Sequence, residues 1–205
     1  MLDLTTKFLE PGETLVCFGD SLTHADPGYV SILQERLPEN KVINAGVGGD
    51  KTPTALLRFQ RDVLDRKPDA ISIFLGTNDS LIGRGRWADE PFIAPQTYHD
   101  NLVWMISHIR TFLGNKKISI VIPYSPFEAD AFGEFGNCVK EYAQKARDAA
   151  ALMKCRIVPL DVKYDEFRNA AGSRFEKIFT VDGVHPTAEL GEFTAQVMLE
   201  SWNMV

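Results

Sequence analysis

The chain has 205 residues, with 22 Lys and Arg against 28 Asp and Glu, a formal net charge of −6. With 44% hydrophobic and 24% charged residues, it reads as one globular domain over residues 1–205 that needs no disulfide or metal staple. The acidic balance excludes a nucleic-acid binder built on a Lys/Arg stripe, and no apolar run of about 18 residues offers a membrane span.

In chain order, the first predicted element is a strand over Thr14–Phe18, followed by a second over Lys41–Ile43. A helical pattern through Leu56, Phe59, Val63 and Leu64 stops before Pro68, and a strand over Ala70–Leu75 comes next. Thr97 and Asp100 have the spacing of a capping box. Apolar residues then recur at Tyr98, Leu102, Met105, Ile106, Ile109 and Leu113 until Gly114 closes the helix. A strand over Ile118–Ile122 precedes a helix through Val139, Tyr142, Ala146, Ala149 and Met153. A strand over Arg156–Leu160 and a helix after Pro186 through Leu190, Phe193, Val197 and Trp202 complete the pattern. Strands that are short, apolar and separated by helices predict an α/β domain with a parallel sheet of about five strands, covered on both faces. In such sheets ligands sit beyond the carboxyl ends of the strands, so the loops there carry the chemistry.

Cys17, Cys138 and Cys155 are odd in number and lack C-x-x-C spacing, so free thiols in a reducing compartment are expected. Met1 to Leu15 carries Asp3, Glu10 and Glu13 and has no apolar core of a signal peptide, which predicts a cytoplasmic address. No cluster has metal-ligand spacing, and no metal or cofactor is expected.

Four strand-end segments hold the candidate residues. Gly19-Asp20-Ser21 follows the first strand and exposes a hydroxyl on a turn. A base candidate lies in Asp182-Gly183-Val184-His185, where the carboxylate can fold back onto one imidazole nitrogen and leave the other free. Asn44-Ala45-Gly46-Val47-Gly48-Gly49-Asp50 follows the second strand, and its glycines let a backbone N–H approach a ligand. Gly76-Thr77-Asn78-Asp79 follows the third strand and places a carboxamide at the same rim. Each segment alone reads as a helix cap or a turn.

Together and in order, these four segments resemble the blocks of the SGNH (GDSL-type) esterase and lipase superfamily, over about residues 14–200. The resemblance implies a three-layer α/β/α, flavodoxin-like fold and a serine hydrolase cleaving a carboxylic ester through an acyl-enzyme. By matching positions it implies Ser21 as nucleophile, His185 as general base and Asp182 as its orienting partner. The implied oxyanion hole comprises the backbone N–H groups of Ser21 and Gly49 and the Asn78 side chain. An acyltransferase or a thioesterase would use the same site.

Rival readings are weaker. His24 is close to Ser21 in sequence but lacks an acidic partner at the spacing of Asp182, and His99 and His108 are expected to be solvated. Gly46 to Thr52 approaches a phosphate-binding loop, but Asp50 stands where that motif requires glycine and would repel phosphate. A flavodoxin-like nucleotide or flavin binder is therefore the alternative of a different class. Two longer irregular stretches, Leu81–Pro95 and Pro123–Gly136, follow strands and should border Ser21. They offer Trp87, Tyr124 and Phe127 as substrate contacts, against the alternative that these aromatics pack the loops. The expected partner is a small-molecule ester.

Overall fold

Alternate residues along each strand face opposite apolar layers, and this parity sets the architecture. Leu15 and Cys17 join one buried cluster, whereas Val16 and Phe18 join the other. A strand covered on both faces has no polar side, which is why these strands read as nearly continuous apolar runs. The computed structural model describes residues 6–81, 89–124, 135–171 and 185–205, apart from the side chains of 135–137.

The sheet contains β1 (Thr14–Gly19), β2 (Lys41–Gly46), β3 (Ala70–Phe74), β4 (Lys117–Val121) and β5 (Arg156–Val158). All neighbours are parallel, in the order β2-β1-β3-β4-β5, which is the flavodoxin-like arrangement. The described helices are α1 (Ser21–His24), α2 (Tyr29–Arg36), α3 (Thr52–Asp62), α4 (Thr77–Leu81) and α5 (Pro95–Leu113). They continue with α6 (Phe135–Leu152), α7 (Leu160–Ala171) and α8 (Ala188–Ser201). Residues of α2, α7 and α8 bury Tyr29, Leu33, Tyr164, Leu190 and Met198 against one face. Residues of α3, α5 and α6 bury Phe59, Leu102, Met105, Ile109 and Tyr142 against the other. A buried side chain of this size contributes about 1.5–3 kcal/mol, so two such layers hold the sheet without covalent help.

Several local expectations need correction. Helix α5 begins at Pro95, with proline in its first turn, so Thr97 lies inside the helix rather than capping it. Leu160 leaves the sheet and opens α7, because β5 pairs only as far as Val158. Helices α2 and α7 were not legible: α2 is eight residues long, and α7 exposes Val162 and Phe167 in the midst of its pattern. His99 and His108 are half-buried rather than solvated. His99 lies 2.8 Å from an Asp100 oxygen, and His108 stacks on Trp104 with 3.4 Å between ring centres.

None of the three cysteines is in a disulfide, and burial pushes the Cys17 thiol up to about 12 and that of Cys155 up to about 11. Among the described residues, no helix is long and apolar enough to cross a membrane. Nor does any group of three His, Cys, Asp or Glu side chains among them have the arrangement to hold a metal ion.

Candidate active site

Strand register brings three of the predicted loops to one rim. Gly19 at the end of β1 pairs with Gly46 of β2 on one side and with Phe74 of β3 on the other. The segments that follow therefore leave adjacent strands at the same height, carrying Ser21, Gly49 and Asn78. Ser21 and Asn78 are half-buried and Gly49 is exposed, so all three border solvent.

Ser21 opens α1. The Asp20 carboxylate caps this turn by accepting the Leu22 N–H at 2.9 Å. Asp20 is almost wholly buried, and its second oxygen has no hydrogen-bond partner among the described residues. Burial raises its pKa to about 7, with the negative charges of Asp79 and Asp50 adding to the effect.

The glycine loop turns back on β1 at once. Val47 N–H donates to the Gly19 carbonyl at 3.1 Å, and Asp50 N–H donates to the Val47 carbonyl at 3.3 Å. Gly49 adopts φ +77°, a left-handed conformation that favours glycine, and it turns the chain at the rim. Gly46 is required for another reason. A Cβ there would lie 2.3 Å from the His24 backbone nitrogen, so a side chain would push α1 away from β2.

Asn78 sits on α4, and its Nδ2 donates to the Asp50 carbonyl at 3.0 Å. A carboxamide has two N–H donors, so one fixes the side chain to the loop and the second is left for a ligand. The neighbouring Asp79 is fully buried and accepts the Thr52 N–H at 3.0 and 3.1 Å and the Thr52 hydroxyl at 2.5 Å. Burial lifts the Asp79 pKa to about 6, while the Thr52 hydrogen bonds pull it back.

Arg58 on α3 had not been singled out from the sequence. Its Nε donates to the Asp50 carboxylate at 2.6 Å, and its Nη1 to Asp62 at 3.0 Å and to the Ala45 carbonyl at 2.8 Å. Its Nη2 reaches the Gly19 carbonyl at 2.8 Å, and the guanidinium lies 4.3 Å from the Phe18 ring centre. One side chain thus joins the ends of β1 and β2 to the glycine loop. The available signal was an Arg four residues before Asp62, on a helix that follows Asp50.

His185 is exposed and leads through Pro186 into α8. The start of α8 lies on the start of α2, where a Cβ at Gly191 would come within 3.2 Å of Gly28. Asp182, Trp87 and Phe127 lie outside the described residues. Tyr124 packs in the core, with ring centres 6.2 Å from Phe74 and 4.2 Å from Tyr164, and only 3% of it is exposed. His24 is exposed, with Nδ1 3.2 Å from the Gly46 carbonyl.

The model of the GDSL-like Lipase/Acylhydrolase family matches residues 17–190, most of the chain and all four segments. The chain belongs to this family. The lipoprotein YqeF of Bacillus subtilis is 31% identical over 188 residues, covering 79% of this chain and 75% of YqeF. The esterase TesA of Pseudomonas aeruginosa is 29% identical over 187 residues, covering 85% of this chain and 80% of TesA. In fold, the chain is similar to LAE5, an alpha/beta hydrolase enzyme from the metagenome of Lake Arreo, Spain. The TM-score is 0.85 at 21% identity, over 97% of this chain and 99% of LAE5. This GDSL-family chain is a carboxylic ester hydrolase, acting on a small-molecule substrate.

Proposed function

We propose that the chain cleaves a small neutral carboxylic ester through an acyl-enzyme on Ser21. The observation that supports this most is the register that hangs Ser21, Gly49 and Asn78 from neighbouring strand ends. Ser21 Oγ attacks the ester carbonyl carbon while the imidazole of His185 takes its proton, with Asp182 orienting the ring. The carbonyl oxygen becomes an oxyanion that receives the Ser21 and Gly49 backbone N–H groups and the second N–H of Asn78 Nδ2. As the C–O bond breaks, His185 returns the proton to the departing alcohol. Water then attacks the acyl-enzyme, again losing a proton to His185, and the acid leaves as Ser21 regains its hydrogen.

Labelling with a fluorophosphonate probe, repeated on Ser21→Ala and His185→Ala, tests the mechanism. The expected result is labelling of the native chain and none of Ser21→Ala. Labelling that survives in Ser21→Ala overturns the nucleophile assignment. A panel of esters and thioesters with increasing acyl length, assayed in water and with added alcohol, then reports the acyl preference and the acceptor.

A further inference from the structure

The helix that follows the third loop is joined to the exit of the glycine loop by two hydrogen-bonded rungs. Asn78 Nδ2 donates to the Asp50 carbonyl at 3.0 Å, and Asp79 receives Thr52 at 2.5–3.1 Å. The second rung does not end there. Asn101, on α5, donates from Nδ2 to the Thr52 hydroxyl oxygen at 2.9 Å.

The direction of this chain of hydrogen bonds is fixed by its ends. The amide nitrogen of Asn101 only donates and a carboxylate only accepts, so the single Thr52 hydroxyl proton must point to Asp79. A flipped Asn101 would claim that proton and leave the Thr52 oxygen lone pairs facing the Asp79 carboxylate at 2.5 Å, which is repulsive. The order Asn101 to Thr52 to Asp79 is therefore the arrangement that satisfies all three groups. Asp79 is 0% exposed and Thr52 is 0% exposed, so water cannot replace either partner. Linked hydrogen bonds in such a site reinforce one another.

We propose that Asn101 and Thr52 are positioning residues for the oxyanion hole, acting through Asp79 to set the spacing between Asn78 Nδ2 and the Gly49 N–H. The inference rests on the reading of Asn78 and Gly49 as oxyanion donors. Asn101 orients the Thr52 hydroxyl, Thr52 holds Asp79, and Asp79 holds the short α4 on which Asn78 sits. Donors that stabilise a developing charge act only when placed to within a fraction of an ångström, so loosening this link lowers kcat and leaves KM nearly unchanged.

The test is a cycle on the full chain with a short-chain nitrophenyl ester, comparing Asn78→Ala, Asn101→Ala and the double variant. Urea unfolding is measured in parallel. The expected result is a kcat about tenfold lower for Asn101→Ala at nearly constant KM. In the double variant kcat falls no further than in Asn78→Ala alone, because both changes remove the same donor. Thr52→Ser keeps kcat near the native value, and Thr52→Val lowers it as Asn101→Ala does. A purely structural role predicts a lower urea midpoint with native kcat, or losses that multiply in the double variant, and either result overturns the proposal. If instead Asn78→Ala retains native kcat, the oxyanion reading itself fails, an outcome separable from a native kcat in Asn101→Ala alone. Where Thr52→Val does not fold, Thr52→Ser and the Asn101 cycle still decide the matter.

Discussion

Arg58 Nη2 donates to the Gly19 carbonyl at 2.8 Å, so a side chain on α3 holds the last residue of the strand that carries Ser21. The same guanidinium pairs with both Asp50 and Asp62, with its side chain only 10% exposed. Replacing Arg58 with Met leaves the Asp50 carboxylate, itself 9% exposed, without its cation. The expected cost is about 3 kcal/mol, because an uncompensated buried charge is expensive. Arg58→Lys keeps the charge but cannot serve four acceptors from a planar fork, and is expected to fall between. Urea unfolding midpoints measure both, and an unchanged midpoint for Arg58→Met would show that the network adds no stability.

Asp20 is expected to make the protein less stable as pH rises. Its folded pKa is pushed up to about 7 from the ordinary 3.8, so between those values the folded state holds more protons than the unfolded state. The favourable contribution is complete below about 3.8 and is lost as pH climbs through about 7. Asp79, raised to about 6, acts in the same sense. Asn at position 20 keeps an oxygen for the Leu22 N–H and cannot ionise. Asp20→Asn is expected to gain stability relative to the native chain by up to a few kcal/mol more at pH 8 than at pH 5, at about 1.4 kcal/mol per pKa unit. Denaturation curves at the two pH values check this, and an equal difference at both would remove Asp20 as the titrating group.

Asn78→Ala is expected to lower kcat by about 10²–10³ with little change in the far-ultraviolet circular dichroism. Its loss also removes the Asn78 donor from the Asp50 carbonyl. Steady-state kinetics on a short ester measure the effect, and a native kcat removes Asn78 from the oxyanion hole.

The glycine loop gives a paired steric prediction. Gly46→Ala places a methyl group 2.3 Å from the His24 nitrogen and 2.7 Å from the Thr23 carbonyl carbon, both backbone atoms that cannot swing aside. A loss of about 1–3 kcal/mol is expected. Gly48→Ala meets nothing within 4 Å and has no positive φ, so a change within about 0.5 kcal/mol is expected. Thermal melts compare the two variants, and equal melting temperatures would contradict the tight approach of α1 to β2.

Much of this was legible because strands buried on both faces leave a plain apolar signature and because glycine, Ser21 and Asn78 mark strand ends. The five strands lie where Thr14, Lys41, Ala70, Ile118 and Arg156 indicated, within a few residues. Strand β2 runs on to Gly46 because Asn44 and Ala45 are held by pairing to Cys17 and Phe18, a tertiary effect that their own character does not announce. Helix α2 escaped notice because its buried face is only Tyr29, Val30 and Leu33. The links made by Arg58, Thr52 and Asn101 were hidden for a different reason. They join residues far apart in the chain, and nothing in the local pattern of polar residues says which acceptor each will meet.

Strand β1 has a consequence for how such a chain tolerates insertions and deletions. Its residues alternate between two separate apolar layers, and its last pair leads directly to the proposed nucleophile. Adding or removing one residue between Leu15 and Gly19 would exchange the two layers and turn Ser21 away from Gly49 and Asn78 in a single event. A change of length in the turn before Thr14 would do neither. Length variation among related sequences is therefore expected to gather before β1 and in the loops beyond the rim, with the segment from Thr14 to Ser21 kept at constant length.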